Sequence, residues 1–580
     1  MHRFTVWAPK ASGVDLVLPA TDGSAERCLP MTAAGDGTFA LEVPQAGHGT
    51  DYAFSLDGGR PLPDPRSAWQ PAGVHGPSRV FDPSRYAWGD GAWQGRDVLG
   101  ALFYELHVGT FTPQGTLDAA TERLDHLVDL GVDVVEIMPV AAFDGRWGWG
   151  YDGVDLYAVH APYGGPEALQ RFVDACHARG LAVCLDVVYN HLGPSGNYLA
   201  SFGPYFTGKH DTPWGDAVNL DDTGSEHVRR WIVDNALRWF EDFHIDALRL
   251  DAVHALVDDS PRHLLAQLSD GTAALAARLG RPLSLVAESD LNDPRMVEPT
   301  SEGGLGMTAQ WDDDIHHALH GLLTGERQGY YCDFGSLEAL QQALTRVFVH
   351  CGTYSTFRGA IWGRPVDPAR HRGHRFLAYL QDHDQVGNRA VGDRISATVS
   401  PGRQAAGAAL YLTSPFTPMI FMGEEWAAST PWEFFTDFPD RDLAAAVRNG
   451  RRSEFAEHGW DAEDVPDPQD PSTRNASVLD WAEPGKDAHA RMLGWYRDLV
   501  ALRRAEPDLM DDDLRRVHVD TGPDCLVVHR GAFRVLVNLG SQPAEFEVAP
   551  DAEIALAWAE PERTTTGLRL GPDEVAVVRV

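Results

Sequence analysis

Arg249 and Asp251 stand two residues apart in the run FHIDALRLDAVH, residues 243–254. Ile245, Ala247, Leu248 and Leu250 give that run the apolar character of a buried strand. In a strand, residues two apart point to the same side. An Arg and an Asp on one side of an apolar strand are costly unless they pair or meet a ligand. Taken alone, Asp251 could cap a following helix or form a structural ion pair with Arg249. Other apolar runs end in the same chemistry: LAVCLDVV leads to Asp186, Asn190 and His191, LSLVAES ends at Glu288, and RFLAYLQDHD ends at His383 and Asp384. Carboxylates from three strand ends would crowd each other. Crowding pushes their pKa values apart, so that one stays protonated while another stays ionised. One acid and one nucleophile or base is what glycoside hydrolysis requires. Metal binding is the competing use of three carboxylates; Arg249 and the aromatic surroundings favour sugar chemistry.

The elements that must position these residues alternate along the middle of the chain. Strand-like runs ALFYELHV, VVEIMPV, LAVCLDVV, LSLVAES, RFLAYLQDHD and PMIFMGEE are separated by amphipathic helical stretches, with a further strand near residues 307–311. One helix carries Val228, Ile232, Ala236, Trp239 and Phe243 on one face and leads into the run at 243–254. Repeated βα units predict an α/β fold with a parallel sheet, closing as a (β/α)8 TIM barrel whose active face lies at the carboxyl ends of the strands. An open doubly wound sheet is the alternative, weakened because no G-x-G-x-x-G follows the first strand. Residues 190–222 are too long and too rich in Gly, Pro and aromatics for an ordinary βα turn, and predict a small excursion over one end of the barrel. Residues 430–475 form a second polar connection. Residues 1–88 read as an N-terminal β-sandwich with Trp7 and Tyr52 in its core, 89–100 as a linker within a catalytic region of 89–508, and 509–580 as a C-terminal β-sandwich domain.

Composition narrows the function. The net charge is -36, from 84 acidic and 48 basic residues. That repels phosphate backbones and gives no attraction to anionic lipid, so neither nucleic acid nor membrane is an expected partner. The lysines are Lys10, Lys209 and Lys486, none of them in a phosphate-loop pattern. Six scattered cysteines without a C-x-x-C pair predict free thiols and no structural zinc. The opening MHRFTVWAPK lacks the apolar run of a signal peptide. With no stretch of membrane-spanning length, the expected location is the cytoplasm.

DVVYNH, ALRLDAVH, VAES and QDHD resemble, in order, the four short motifs of the α-amylase superfamily, glycoside hydrolase family 13. The resemblance implies a retaining hydrolase that uses no cofactor and no metal. It assigns Asp251 as nucleophile, Glu288 as general acid/base and Asp384 as transition-state stabiliser. It has Arg249 hold the nucleophile, His191 and His383 hydrogen-bond the sugar, and Tyr151 stack under it. Asp186 would support Arg249. Asn190 is a calcium ligand in some relatives and an organiser of its loop in the other reading. His254 lines the next subsite or caps a helix, and Trp147 and Trp149 are sugar platforms or packing residues. YELHVGTFTPQGTL, HDQVGNRA, FMGEEWAASTPWEFFTD and VPDPQDPSTRNASVLDW resemble the subgroup that cuts the α-1,4 bond next to a terminal trehalose unit. Its substrates would be maltooligosyltrehalose and related α-glucan oligosaccharides, and a maltooligosyltrehalose synthase would be its functional counterpart. Glucan-branching members are the nearest alternative, although Gln385 follows Asp384 where those usually carry Glu. A non-catalytic glucan-binding protein is a third reading, disfavoured because all three carboxylates are present. Asp312, Asp313, Glu424 and Trp426 are the expected readers of the trehalose linkage; Glu424 and Glu425 could instead be structural partners of barrel arginines.

Overall fold

In the computed structural model, which describes residues 2–20, 25–456, 464–549 and 551–580, eight short strands close into a parallel barrel. They are β1 (Phe103–Leu106), β2 (Val134–Ile137), β3 (Ala182–Val187), β4 (Ala247–Leu250), β5 (Ser284–Ala287), β6 (Ala309–Trp311), β7 (Phe376–Tyr379) and β8 (Thr417–Phe421). Pairing of β8 with β1, Met419 opposite Phe103, closes the sheet and rules out the open alternative. Every residue of these strands is buried, because the barrel interior covers one face and the helices cover the other.

Strand alternation decides what enters the barrel. Phe103, Val134, Ala182, Cys184, Ala247, Val286, Ala309, Trp311, Leu377, Tyr379 and Met419 form one interior cluster. Two residues further along their strands stand Glu105, Glu136, Asp186, Arg249, Glu288 and Asp313, with Asp251 two beyond Arg249. The period of two therefore carries an apolar floor directly into a polar mouth at the carboxyl ends.

The segment around residues 89–100 does more than link. Val98 and Ala101 belong to the barrel's interior cluster. Trp93 stacks on His177 (4.6 Å between centroids) and donates to Asp246 Oδ1 (2.8 Å), just before β4. The segment thus plugs the amino-terminal end of the barrel. Within 190–222 lie a short helix, Leu199–Phe202, and a hairpin, Phe206–Thr212 with Gly215–Val218. The 430–475 connection contains helices Arg441–Ala456 and Pro471–Ala476; its residues 457–463 lie outside the described residues.

At the N-terminus, antiparallel sheets of three and four strands enclose Phe4, Val6, Leu16, Phe39, Tyr52 and Phe54. Trp7 departs from expectation. Phe4 and Val6 take the inward positions of their strand, so Trp7 is one residue out of phase with that core. It faces the barrel instead, stacked on His227 (4.5 Å) and edge-on to Tyr205. That contact lies on the helix Ser225–Asp242, whose Val228, Ile232, Ala236 and Trp239 are buried as the sequence predicts. From the same helix Trp231 Nε1 donates to Pro65 O (2.9 Å), and Asp234 accepts from Arg66 (2.9 Å). At the C-terminus, a five-stranded sheet packs on a three-stranded one through Leu536, Phe546, Leu568, Leu570, Ala576 and Val578. All six cysteines are free. No described helix is long and apolar enough to cross a membrane.

Candidate active site

One buried guanidinium organises the mouth. Arg249 Nη1 donates to Asp186 Oδ2 (2.7 Å) and Asp251 Oδ1 (2.9 Å), and Nη2 lies 3.1 Å from Glu288 Oε2. Its plane packs 4.3 Å over Trp311. Asn190, at the end of the β3 loop, donates from Nδ2 to the other Asp251 oxygen and to the Asp251 carbonyl, both at 2.8 Å. Ala252 adopts a left-handed conformation (φ 39°, ψ 51°) that turns its N–H onto Glu288 Oε2 at 2.6 Å. Asp384 is the second residue of a short helix, His383–Gly387, after β7. Its backbone N–H is capped by Asp382 (2.8 Å), and its Oδ1 accepts from Asn388 (2.8 Å).

Rings close the sides of the pocket. Tyr151 donates its hydroxyl to Asp186 Oδ2 (2.7 Å) and stacks on His383, with centroids 5.1 Å apart. His191 faces Asn190 Oδ1 through Nδ1 (2.6 Å) and the Tyr151 carbonyl through Nε2 (2.9 Å), with Trp214 stacked on its far side (4.4 Å). Asp313 accepts from the Tyr379 hydroxyl. His254 stands exposed beyond Asp251, its Nδ1 3.7 Å from Asp290.

Burial dominates the electrostatics. It pushes Glu288 above the usual carboxylate range; Arg249 opposes this, and the charges of Asp251 and Asp384 add to it. Burial likewise lifts Asp186 to about 7 against the pull of Arg249. Asp313 rises to about 7 by burial, with Glu288, Asp290 and Asp384 contributing. Burial works against the Arg249 charge, but Asp186, Glu288 and Asp251 outweigh it and hold the guanidinium firmly protonated. His191 is pushed down by burial, with Asp251 resisting.

Comparison with known proteins agrees with this geometry. Residues 80–205 match the model of the alpha amylase catalytic domain, residues 1–70 carbohydrate-binding module 48 (isoamylase N-terminal domain), and residues 512–577 a domain of unknown function. The chain is 55% identical to a malto-oligosyltrehalose trehalohydrolase of Arthrobacter ramosus, over 100% of both chains. It is 50% identical to one of Mycobacterium tuberculosis, over 100% of this chain and 99% of the relative. The chain belongs to the malto-oligosyltrehalose trehalohydrolase family. The fold of this trehalohydrolase-family chain superposes on a solved Salmonella typhimurium protein described as an alpha amylase, with a TM-score of 0.90, 37% identity, and coverage of 100% and 97%.

Against the sequence reading, the structure brings Asp251, Glu288, Asp384, Arg249, His191, His383, Tyr151, His254 and Asp313 to the trehalohydrolase-family barrel mouth. Three expected linkage readers lie elsewhere. Asp312 is buried one residue out of phase with inward Trp311 and Asp313, and neither of its carboxylate oxygens has a hydrogen-bond partner among the described residues. Glu424 is sealed in the wall, accepting from Tyr411 (2.8 Å), Tyr496 (2.9 Å) and Gln381 (3.2 Å). This matches the alternative reading of Glu424 as a structural residue, but its partners are two tyrosines and Gln381 in place of barrel arginines. Trp426 is fully buried and reaches Glu483 (3.3 Å). Trp149 packs on Trp432 (5.3 Å). Asn190 ties its loop to Asp251. Among the described residues, His210, Asp221 and Asp259 are the group with metal-like spacing, and the Lys209 ammonium already lies 2.8 Å from Asp221. Glu105 and Glu136 were missed. Each is a lone acid inside an otherwise apolar strand, FYEL and VVEI, and that isolation was the available signal.

Proposed function

We propose that this chain hydrolyses the α-1,4 bond joining a maltooligosaccharide to a terminal trehalose unit, with retention of configuration. The observation that carries the mechanism is that a single guanidinium joins Asp251 and Glu288, while burial keeps Glu288 inclined to hold a proton. Asp251, held by Arg249 and Asn190, attacks the anomeric carbon. Glu288 gives its proton to the glycosidic oxygen, and trehalose departs. Glu288 then takes a proton from water, which attacks the glycosyl–Asp251 ester and frees the maltooligosaccharide. One guanidinium thus holds both carboxyls, Asp251 on Nη1 and Glu288 on Nη2, which supports a nucleophile and an acid/base acting on the same bond. Asp384 stabilises the developing oxocarbenium charge. Tyr151, His191 and His383 hold the reacting sugar, while Asp313 and His254 face the leaving trehalose. The enzyme acts in the cytoplasm on the product of a synthase that builds the trehalose end.

Product analysis tests this. Incubation with maltotriosyltrehalose, beside maltopentaose and amylose, is expected to give trehalose and maltotriose, with the plain chains cut slowly. Altered amylose without trehalose release would move the chain to another α-glucan activity.

A further inference from the structure

His383 is gripped at ring and backbone. Its backbone N–H donates to Glu105 Oε2 (3.1 Å), its ring Nδ1 to Glu105 Oε1 (2.5 Å), and its carbonyl accepts from Trp432 Nε1 (2.8 Å). The ring lies parallel to Tyr151 and edge-on to Trp149. Glu105 is completely buried in β1, and both of its oxygens are taken by this one residue. His383 Nε2 has no hydrogen-bond partner among the described residues and is left for substrate.

We propose that Glu105 is a positioning residue that accepts the hydrogen bond from Nδ1–H of His383, holds the ring as its cation and thereby fixes Nε2–H as a permanent hydrogen-bond donor to a hydroxyl of the reacting sugar. The role rests on the glycosidase reading above. The logic follows from imidazole chemistry. A neutral ring whose Nδ1–H is engaged offers a lone pair at Nε2, whereas the cation offers a second N–H. Burial alone would drive the ring neutral. Glu105 across the bond, with Asp382 and Asp384 on the same segment, instead raises His383 to about 10. The remaining ionisable groups that interact with it are Asp186 from β3 and His107 after β1; the other surfaces packed against it are the rings of Tyr151, Trp149 and Trp311. Sugar hydroxyls can donate or accept, so a ring that never changes role fixes the direction of the hydrogen bond and the orientation of the hydroxyl.

Glu105→Gln preserves an oxygen that can accept from Nδ1 but removes the charge. The test pairs 13C-labelled histidine NMR, assigned with His383→Gln, with kcat/KM for trehalose release relative to wild type at each pH. His383 should be flat from pH 5.5 to 9 in the wild type and titrate within that window in Glu105→Gln. Because the donor exists only below the ring's pKa, Glu105→Gln should come closest to wild type at pH 5.5 and fall a further ~10–100-fold by pH 8.5. Glu105→Asp, which keeps the charge, should leave His383 flat and recover most of the activity. A flat His383 in Glu105→Gln, or a loss equal at every pH, would overturn the proposal in favour of a purely structural Glu105. If Glu105→Gln does not fold, Glu105→Asp decides: a titrating His383 with full activity overturns the role, and a flat His383 with recovered activity supports it. A wild-type enzyme that releases no trehalose would refute the functional reading but leave the NMR comparison intact.

Discussion

Replacing Arg249 with Met removes the charge shared by Asp186, Asp251 and Glu288 while keeping an unbranched, buried side chain. Removing one partner of a buried ion pair costs about 3–5 kcal/mol. Three such losses would not add, because a buried carboxylate escapes by binding a proton. Asp186 already titrates near 7 with Arg249 in place; without it the folded-state value moves higher still. A carboxyl whose folded pKa exceeds its unfolded value, about 4, binds more protons in the folded state across that interval. Stability then falls as pH rises through the interval, by about 1.4 kcal/mol per pH unit for each such group. Between pH 7 and 8 the variant acquires this slope from Asp186 and the wild type does not. The destabilisation should therefore be about 3–5 kcal/mol at pH 8 and smaller by about 1.4 kcal/mol or more at pH 6. At roughly 2 °C per kcal/mol for a domain this large, the unfolding midpoint drops by about 6–10 °C at pH 8 and by about 3 °C less at pH 6. Calorimetry at both pH values, with trehalose release expected to fall ~10²–10⁴-fold, makes the measurement. An equal drop at the two pH values, or a larger one at pH 6, would refute the reasoning.

Asp251→Asn and Glu288→Gln should each abolish turnover while leaving the circular dichroism spectrum unchanged, and residual rates near wild type would remove the assigned roles. Asn190→Ala deletes two hydrogen bonds to Asp251, one of them charge-assisted, and should lower kcat by ~10–100-fold with little change in KM, read by steady-state kinetics. The raised Glu288 must be protonated to act, so kcat/KM should decline as pH rises through its pKa. Asp384→Asn removes one of the charges lifting Glu288, so the alkaline limb of its residual activity should move to lower pH; an unmoved limb would show that the charge of Asp384 does not set that pKa.

The convergence of Arg249, Asp251 and Glu288 was legible because chemistry sits on strand ends, where a period of two is a strong constraint. Arg249 and Asp251, two apart, had to share a side, and repeated βα units had to gather the strand ends of Glu288 and Asp384. β6 was faint because it is only Ala-Gln-Trp, without the β-branched run that marks β2 or β3. Asp312 and Asp313 could not be separated from sequence, since a phase shift of one residue sends one into the wall and the other into the mouth. Glu424 and Trp426 failed for a related reason: hydrogen-bond partners 50 or more residues away, Tyr496 and Glu483, decide their burial. Trp7 was assigned to a core that the alternation of its own strand excludes.

The contact of Trp7, Pro65 and Arg66 with the helix Ser225–Asp242 gives the N-terminal sandwich a place in the catalytic domain's own architecture. That helix delivers the chain through His244 into β4, the strand carrying Arg249 and leading to Asp251. A barrel cut free of residues 1–88 would expose Trp231 and the face of His227 on the element that leads into the strand positioning Asp251. The sandwich is thus not a detachable appendage. Limited proteolysis should yield no durable barrel fragment, and exchange of this module between relatives should succeed only when the helix is exchanged with it.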